Sequence, residues 1–253
     1  MARVTAAVLP HPPLLVPELA GAAAAELNSL RAACRDALAT VVAAADLTVI
    51  VGDGPVWGVP EPSAPGSLAP YGVDLQVTLP ATLTDLDLPG LPAPGRLPEL
   101  PLSLAVAAHL LAGLDPPPAR LLAATVPISL GPGAAAAIGR SLTAARNGSA
   151  VGGPAGLVVM ADLSACRTER SPGAFRAEAA DFDASVAETL RTGKPARLLD
   201  LDPALAADLM VTGRVPLQVL AGAFESEPAV GGRVLYEDAP YGVGYLVALL
   251  TAP

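Results

Sequence analysis

The sequence predicts an α/β protein: one domain over residues 1–253, built on a mixed central β-sheet with helices on both faces. Three observations carry this reading. Short apolar runs alternate along the chain with segments of helical periodicity, the pattern of a sheet covered on both sides. The last two runs, Val234–Glu237 and Gly242–Leu250, meet across a turn and read as an antiparallel pair, which makes the sheet mixed. The chain is 52% hydrophobic and 15% charged, ample for a buried core and unlike a disordered composition. No repeat period or compositional break divides it.

The elements follow in order. Arg3–Leu9 is an apolar opening strand that stops at Pro10-His11-Pro12-Pro13. Leu19–Ala45 places Leu27, Leu30, Cys34, Leu38 and Val41 at helical spacing and predicts one long helix. Leu47–Val51 is a buried strand that turns at Gly52-Asp53-Gly54-Pro55. From Pro55 to Pro98 proline and glycine are dense. This segment is expected to wrap over a sheet edge or cleft, with one strand at Val73–Leu79. Pro101–Leu114 predicts a helix with proline at its start, Leu121–Val126 a strand, and Gly133–Arg146 a helix closed by Asn147-Gly148. Gly156–Ala161 is a further strand that ends in Asp162-Leu163-Ser164-Ala165-Cys166. Ser171 and Pro172 read as the cap of a helix running to Arg191, and short helices are expected at Ala196–Leu199, Pro203–Met210 and Val215–Phe224.

Composition excludes several function classes. Twenty-four acidic residues against fifteen basic ones give a net charge of −9, and no Lys/Arg run interrupts it. A nucleic-acid partner or an anionic membrane surface needs a clustered basic face, so neither is expected. The apolar stretches Pro101–Leu114 and Ala239–Pro253 are too short or too broken to span a bilayer. The prolines around His11 interrupt any secretory leader, and the expectation is a cytoplasmic protein. Two cysteines, Cys34 and Cys166, match neither a disulfide framework nor a zinc spacing.

Chemistry has few carriers. There are two histidines, and His11 stands at the exit of the first strand, fixed by prolines, where an imidazole can face a cleft. It reads either as a cleft group that ligates metal or substrate, or as a structural imidazole tied to nearby carbonyls. His109 lies in the apolar helix and reads as structural. Asp53 is either a ligand-binding carboxylate at a strand's carboxyl end or a turn aspartate capping its own backbone. Asp162 is similar, with Ser164 close by. Cys166 reads as inert for want of a neighbouring base. Glu237-Asp238 fits a solvated hairpin turn or a carboxylate pair, and Gly131-Pro132-Gly133 lacks the rest of a phosphate loop.

The order of these pieces resembles the catalytic subunit of class III extradiol ring-cleavage dioxygenases, in the wider group with Memo-like proteins. The resemblance rests on the opening strand leading to His11, Val49–Val51 with its loop, and Leu100-Pro101-Leu102-Ser103. It continues through Gly156–Ala161 with Asp162-Leu163-Ser164, then Phe182-Asp183 and Tyr241-Gly242-Val243-Gly244-Tyr245. It implies a ferrous iron held by two histidines and a carboxylate, a third histidine as acid and base, and a catechol-type aromatic substrate. His11 matches the first iron-binding histidine. The second is expected after Val51, where Gly52-Asp53-Gly54 stands. The acid–base histidine is expected at Ala165, another cleft histidine near Arg96, and the carboxylate near Arg214-Val215-Pro216. A Memo-like cysteine maps onto Ser164.

The expectation is therefore a member of this group that lacks the dioxygenase iron site, carries no bound cofactor and serves as a non-catalytic or repurposed binding protein. Its candidate site is His11, Asp53, Ser103, Asp162, Ser164 and Cys166, and it is expected to take a small aromatic ligand or to self-associate. The alternative is a ring-opening dioxygenase with an atypical metal site that includes His11 and Asp53.

Overall fold

The computed structural model describes residues 4–83, 91–148 and 154–252, so Arg3 at the expected start of the first strand and the terminal Pro253 lie outside it. The strands are β1 (Val4–Leu9), β2 (Leu47–Asp53), β3 (Gly58–Pro60), β4 (Pro65–Ser67), β5 (Gln76–Thr78), β6 (Gly95–Leu97), β7 (Leu121–Val126), β8 (Ala155–Met160), β9 (Gly231–Asp238) and β10 (Tyr245–Thr251). The helices are α1 (Pro17–Ala20), α2 (Asn28–Ala43), α3 (Leu102–Ala112), α4 (Pro132–Gly148), α5 (Glu178–Arg191), α6 (Pro203–Asp208) and α7 (Arg214–Ala223).

Eight strands form one mixed sheet in the order β6-β3-β7-β2-β8-β1-β10-β9, and β4 and β5 make a separate antiparallel pair. The four central strands, β7-β2-β8-β1, are parallel. Every residue of β1, β7 and β8 is buried, as expected for parallel strands covered on both faces. Alternate residues serve opposite cores. Ala7, Leu9, Ile50 and Met160 pack with Leu38 of α2 and Leu104 and Leu111 of α3. Val8, Val51 and Val159 pack with Ile138 of α4, Val186 of α5 and Leu217 of α7. Each enclosed Val, Leu, Ile or Met side chain among them contributes about 1.5–3 kcal/mol. α4 and α7 cross closely because Gly139 and Gly222 have no side chain. A Cβ on Gly139 would run into the Val219 carbonyl, and one on Gly222 into that of Ala136.

Three expectations need correction. The single helix over Leu19–Ala45 is broken: α1 stops at Ala20, a 3-10 stretch covers Gly21–Leu27, and α2 begins at Asn28. Gly21 holds φ 52° and ψ −123°, a geometry that no helix tolerates and glycine reaches freely. The helix expected from Ser171 begins only at Glu178. Ser171 caps nothing there, because its hydroxyl donates to the Gly242 carbonyl at 2.9 Å. The strand at Val73–Leu79 shrinks to β5. The proline-rich segment does lie on a sheet edge, through β3 and β6. Among the described residues no helix is long and apolar enough to cross a membrane.

Candidate functional site

Strand register decides which side chains meet. β8 lies between β1 and β2: Val158 sits opposite Ala7 on one side and Ile50 on the other. Leu9 is level with Met160, so the residues two places further on, His11 and Asp162, leave the sheet at the same height. Val51 is level with Val159, which puts Asp53 at the height of Ala161. Three adjacent parallel strands thus deliver an imidazole and two carboxylates to the carboxyl edge of the sheet, where open α/β sheets place ligand sites.

The contacts are short. The His11 backbone N–H donates to Asp162 Oδ1 at 2.8 Å. His11 Nε2 lies 3.1 Å from Asp53 Oδ1 and 3.9 Å from Asp162 Oδ2. The Asp53 oxygen makes no hydrogen bond that meets geometric criteria, so its contact with His11 is an ion pair and not an aligned N–H···O bond. Nδ1 of His11 is buried and has no hydrogen-bond partner. The imidazole is enclosed, while the Asp53 side chain keeps 24% of its surface and Asp162 keeps 17%. Solvent reaches part of each aspartate side chain and little of the ring, while Asp53 Oδ1 itself is enclosed.

Ser103, the second residue of α3, donates its hydroxyl to the Asp53 carbonyl at 2.7 Å. That approach explains Gly52, since a Cβ there would collide with Ser103. Gly54 likewise leaves room for Thr125. The glycines flanking Asp53 thus answer to close packing. Asp53 itself is the last residue of β2, paired opposite Val126, and not a turn residue.

Ser164 and Cys166 do not join this cluster. Ser164 is fully buried, its N–H donating to Asp183 Oδ1 at 2.9 Å and its hydroxyl to Asp183 Oδ2 at 2.7 Å. Arg167 completes that arrangement, donating to Asp183 Oδ2 at 2.9 Å. Burial pushes the Asp183 carboxyl above its ordinary value, against the pull of these donors. Cys166 is buried with Sγ 3.9 Å from the Asp208 carbonyl and against Gly173. Asp183 organises this loop from α5, a role that the sequence does not single out. Its signal was a carboxylate on the same α5 face as Ala179, Val186 and Leu190, all buried.

The remaining sequence candidates resolve blandly. Glu237 pairs with Arg191 at 2.7 Å on the surface, and Asp238 accepts from the Ala239 N–H. Arg214, where the resemblance expects a carboxylate, is a buried cation. It donates to Gln218 Oε1 at 2.8 Å and to the Ile128 and Leu130 carbonyls, clamping the chain between β7 and α4. Cys34 is a second inert thiol: burial pushes it up to about 12, and the Asp162 charge adds to the shift.

The two histidines titrate in opposite directions. Burial alone would lower His11, but the Asp162 and Asp53 carboxylates together outweigh it and hold the imidazole above 6.5. Burial is also the largest influence on Asp162, raising its carboxyl against the pull of His11. His109 is lowered by burial and by the Arg31 charge, against the opposing charge of Glu18. A group whose folded value is raised contributes fully below its unfolded value, about 6.5 for histidine, and that contribution fades as pH rises through the folded value. NMR titration of the two imidazoles is expected to give one midpoint above 6.5, assigned to His11 by its loss in His11→Gln, and one below. Urea unfolding should show wild-type stability falling over the same rise in pH while His11→Gln stays flatter. A His11 midpoint below 6.5 contradicts the ion-pair geometry.

Ferrous iron does not fit these residues. One imidazole is present, already facing a carboxylate. Among the described residues no group of three or more His, Cys, Asp or Glu side chains is arranged to hold a metal ion.

No family model and no curated protein matches the sequence. Among solved structures the chain is similar to uncharacterized protein JW3007 from Escherichia coli K12, with a TM-score of 0.52 and 17% sequence identity. The match covers 97% of this chain and 98% of that one. At that identity the likeness is one of fold: a single-domain α/β architecture with a large mixed sheet flanked by helices.

Proposed function

We propose that this chain is a repurposed binding protein on the scaffold of the class III extradiol dioxygenase catalytic subunit, without the iron chemistry of that group. The observation that carries the reading is the Asp53 carboxylate 3.1 Å from His11 Nε2, at the strand end where a second iron-binding imidazole is expected. One nitrogen of the imidazole is thus engaged by a carboxylate of the protein itself. The other expected positions support the same reading, since Ala165 supplies no acid–base group and Arg214 is a cation held by carbonyls. The ligand class is a small aromatic molecule whose hydroxyls meet the accessible edges of Asp53 and Asp162. A carboxylate pair accepts hydrogen bonds from phenolic O–H groups without metal.

The test is calorimetric titration with protocatechuate and with gallate, alongside oxygen uptake in the presence of added ferrous iron. Binding weakened by Asp53→Asn, with no oxygen consumed, supports the proposal. Ring cleavage coupled to oxygen uptake, or no binding of either compound, overturns it. One observation favours a second reading, an oxidoreductase with an atypical metal site. Asp162 Oδ2 also lies 3.9 Å from the same nitrogen, so both carboxylates stand beside the one imidazole.

A further inference from the structure

A second concave site lies on the face of the sheet covered by α2 and α3, between the start of α1, the 3-10 stretch, α2 and the second half of α3. It is an open cleft of about 530 Å³, within the usual range of small-molecule sites of roughly 300–1,000 Å³. None of its lining residues belongs to the His11 cluster. Its polar wall is Asn28, Arg31, Arg35 and His109; Pro17 and Leu110 are part of its apolar remainder.

The charge balance of that wall runs against the rest of the molecule. The chain carries −9 overall, yet two guanidinium groups one helical turn apart on α2 line one cleft. Neither makes an ion pair with a carboxylate among the described residues. Arg31 is the more informative, being only 8% exposed. Its NH2 donates to the Ala24 carbonyl and to Asn28 Oδ1 at 2.9 Å, while NH1 is buried with no hydrogen-bond partner. A buried guanidinium with an unpaired donor and no counter-charge is costly, because both desolvation and the lost hydrogen bond count against it. An anion entering the cleft supplies the missing counter-charge. The acidic groups near the cleft do not supply one. Glu26 is exposed and accepts from the Tyr241 hydroxyl at 2.8 Å, and Glu18 is exposed on α1, its charge acting on His109.

The geometry points to an anion site: a small molecule bearing an oxyanion group, carboxylate or phosphate, binds in this cleft on Arg31 and Arg35. Guanidinium forks match the paired oxygens of either group. Leu110 and Pro17 give the rest of such a molecule an apolar surface. This site is independent of the His11 cluster, and so is its test.

The experiment is calorimetric titration of the full chain at fixed ionic strength, with inorganic phosphate in one arm and succinate in the other. Saturable one-to-one binding is expected in at least one arm, and the arm that saturates says whether phosphate or carboxylate is the group read. Arg35→Ala, at an exposed position that packing tolerates, is expected to weaken it at least tenfold, and Arg31→Gln likewise. Arg197→Ala, outside the cleft, should leave it unchanged. No saturation in either arm up to tens of millimolar, or equal affinity in wild type and Arg35→Ala, overturns the assignment.

Discussion

Replacing Asp183 with alanine is expected to lower the free energy of unfolding by about 2–5 kcal/mol. The reason is the number of donors left behind. Ser164 is fully buried, and both its N–H and its hydroxyl end on this one carboxylate, as does one arm of Arg167. Truncation strands the enclosed Ser164 N–H and leaves its hydroxyl only the Ala179 carbonyl at 3.4 Å, whereas Arg167 keeps enough exposure to find water. The same change releases the loop that follows β8 and carries Asp162, so the cost reaches the His11 site. Ser164→Ala should be milder, since it removes the hydroxyl and leaves the N–H bond in place. Urea denaturation of both variants checks the ranking. A loss below about 1 kcal/mol for Asp183→Ala would mean that the three donors find other partners.

His11→Ala is the second large effect, expected to cost about 2–4 kcal/mol near pH 6. Removing one partner of a buried ion pair leaves uncompensated charge, and here two carboxylates lose the same imidazole. The figure falls below that of a fully enclosed pair because Asp53 keeps 24% of its side chain in solvent. The cause is identifiable by a double-mutant cycle: Asp53→Asn combined with His11→Ala should recover part of the loss, because one of the stranded charges is gone. Strict additivity of the two changes would show that the ion pair contributes nothing.

Much of this architecture is legible in the chain. β1, β2, β7 and β8 announce themselves as short apolar runs, and α3 and α7 as apolar segments bounded by proline or glycine. The short strands β3 and β6 are not legible, because each is three residues long in a segment whose proline and glycine content argues against strand, and both take their order from the neighbouring edge. Alanine masks the break before α2: Ala22–Ala25 has high helix propensity, and only Gly21 marks where the axis stops. His11, Asp53 and Asp162 can each be named from the sequence as residues at strand exits. Their convergence cannot, since it depends on β8 inserting between β1 and β2, an order set by packing and not by any local pattern. Ser164 shows the opposite error. Its closeness to Asp162 in sequence suggests a shared site, yet its contacts go to α5. The anion cleft was invisible for the same reason as the cluster: His109 and Arg31 are far apart in sequence and meet only through the packing of α2 beside α3.

On the proposed reading, a histidine–aspartate ion pair stands where the resembling dioxygenases hold iron. Anaerobic reconstitution with ferrous iron, removal of excess metal and elemental analysis test it most directly. Well below one iron per chain is expected, with no difference between wild type and His11→Ala. One iron per chain in wild type, lost in His11→Ala, would contradict it.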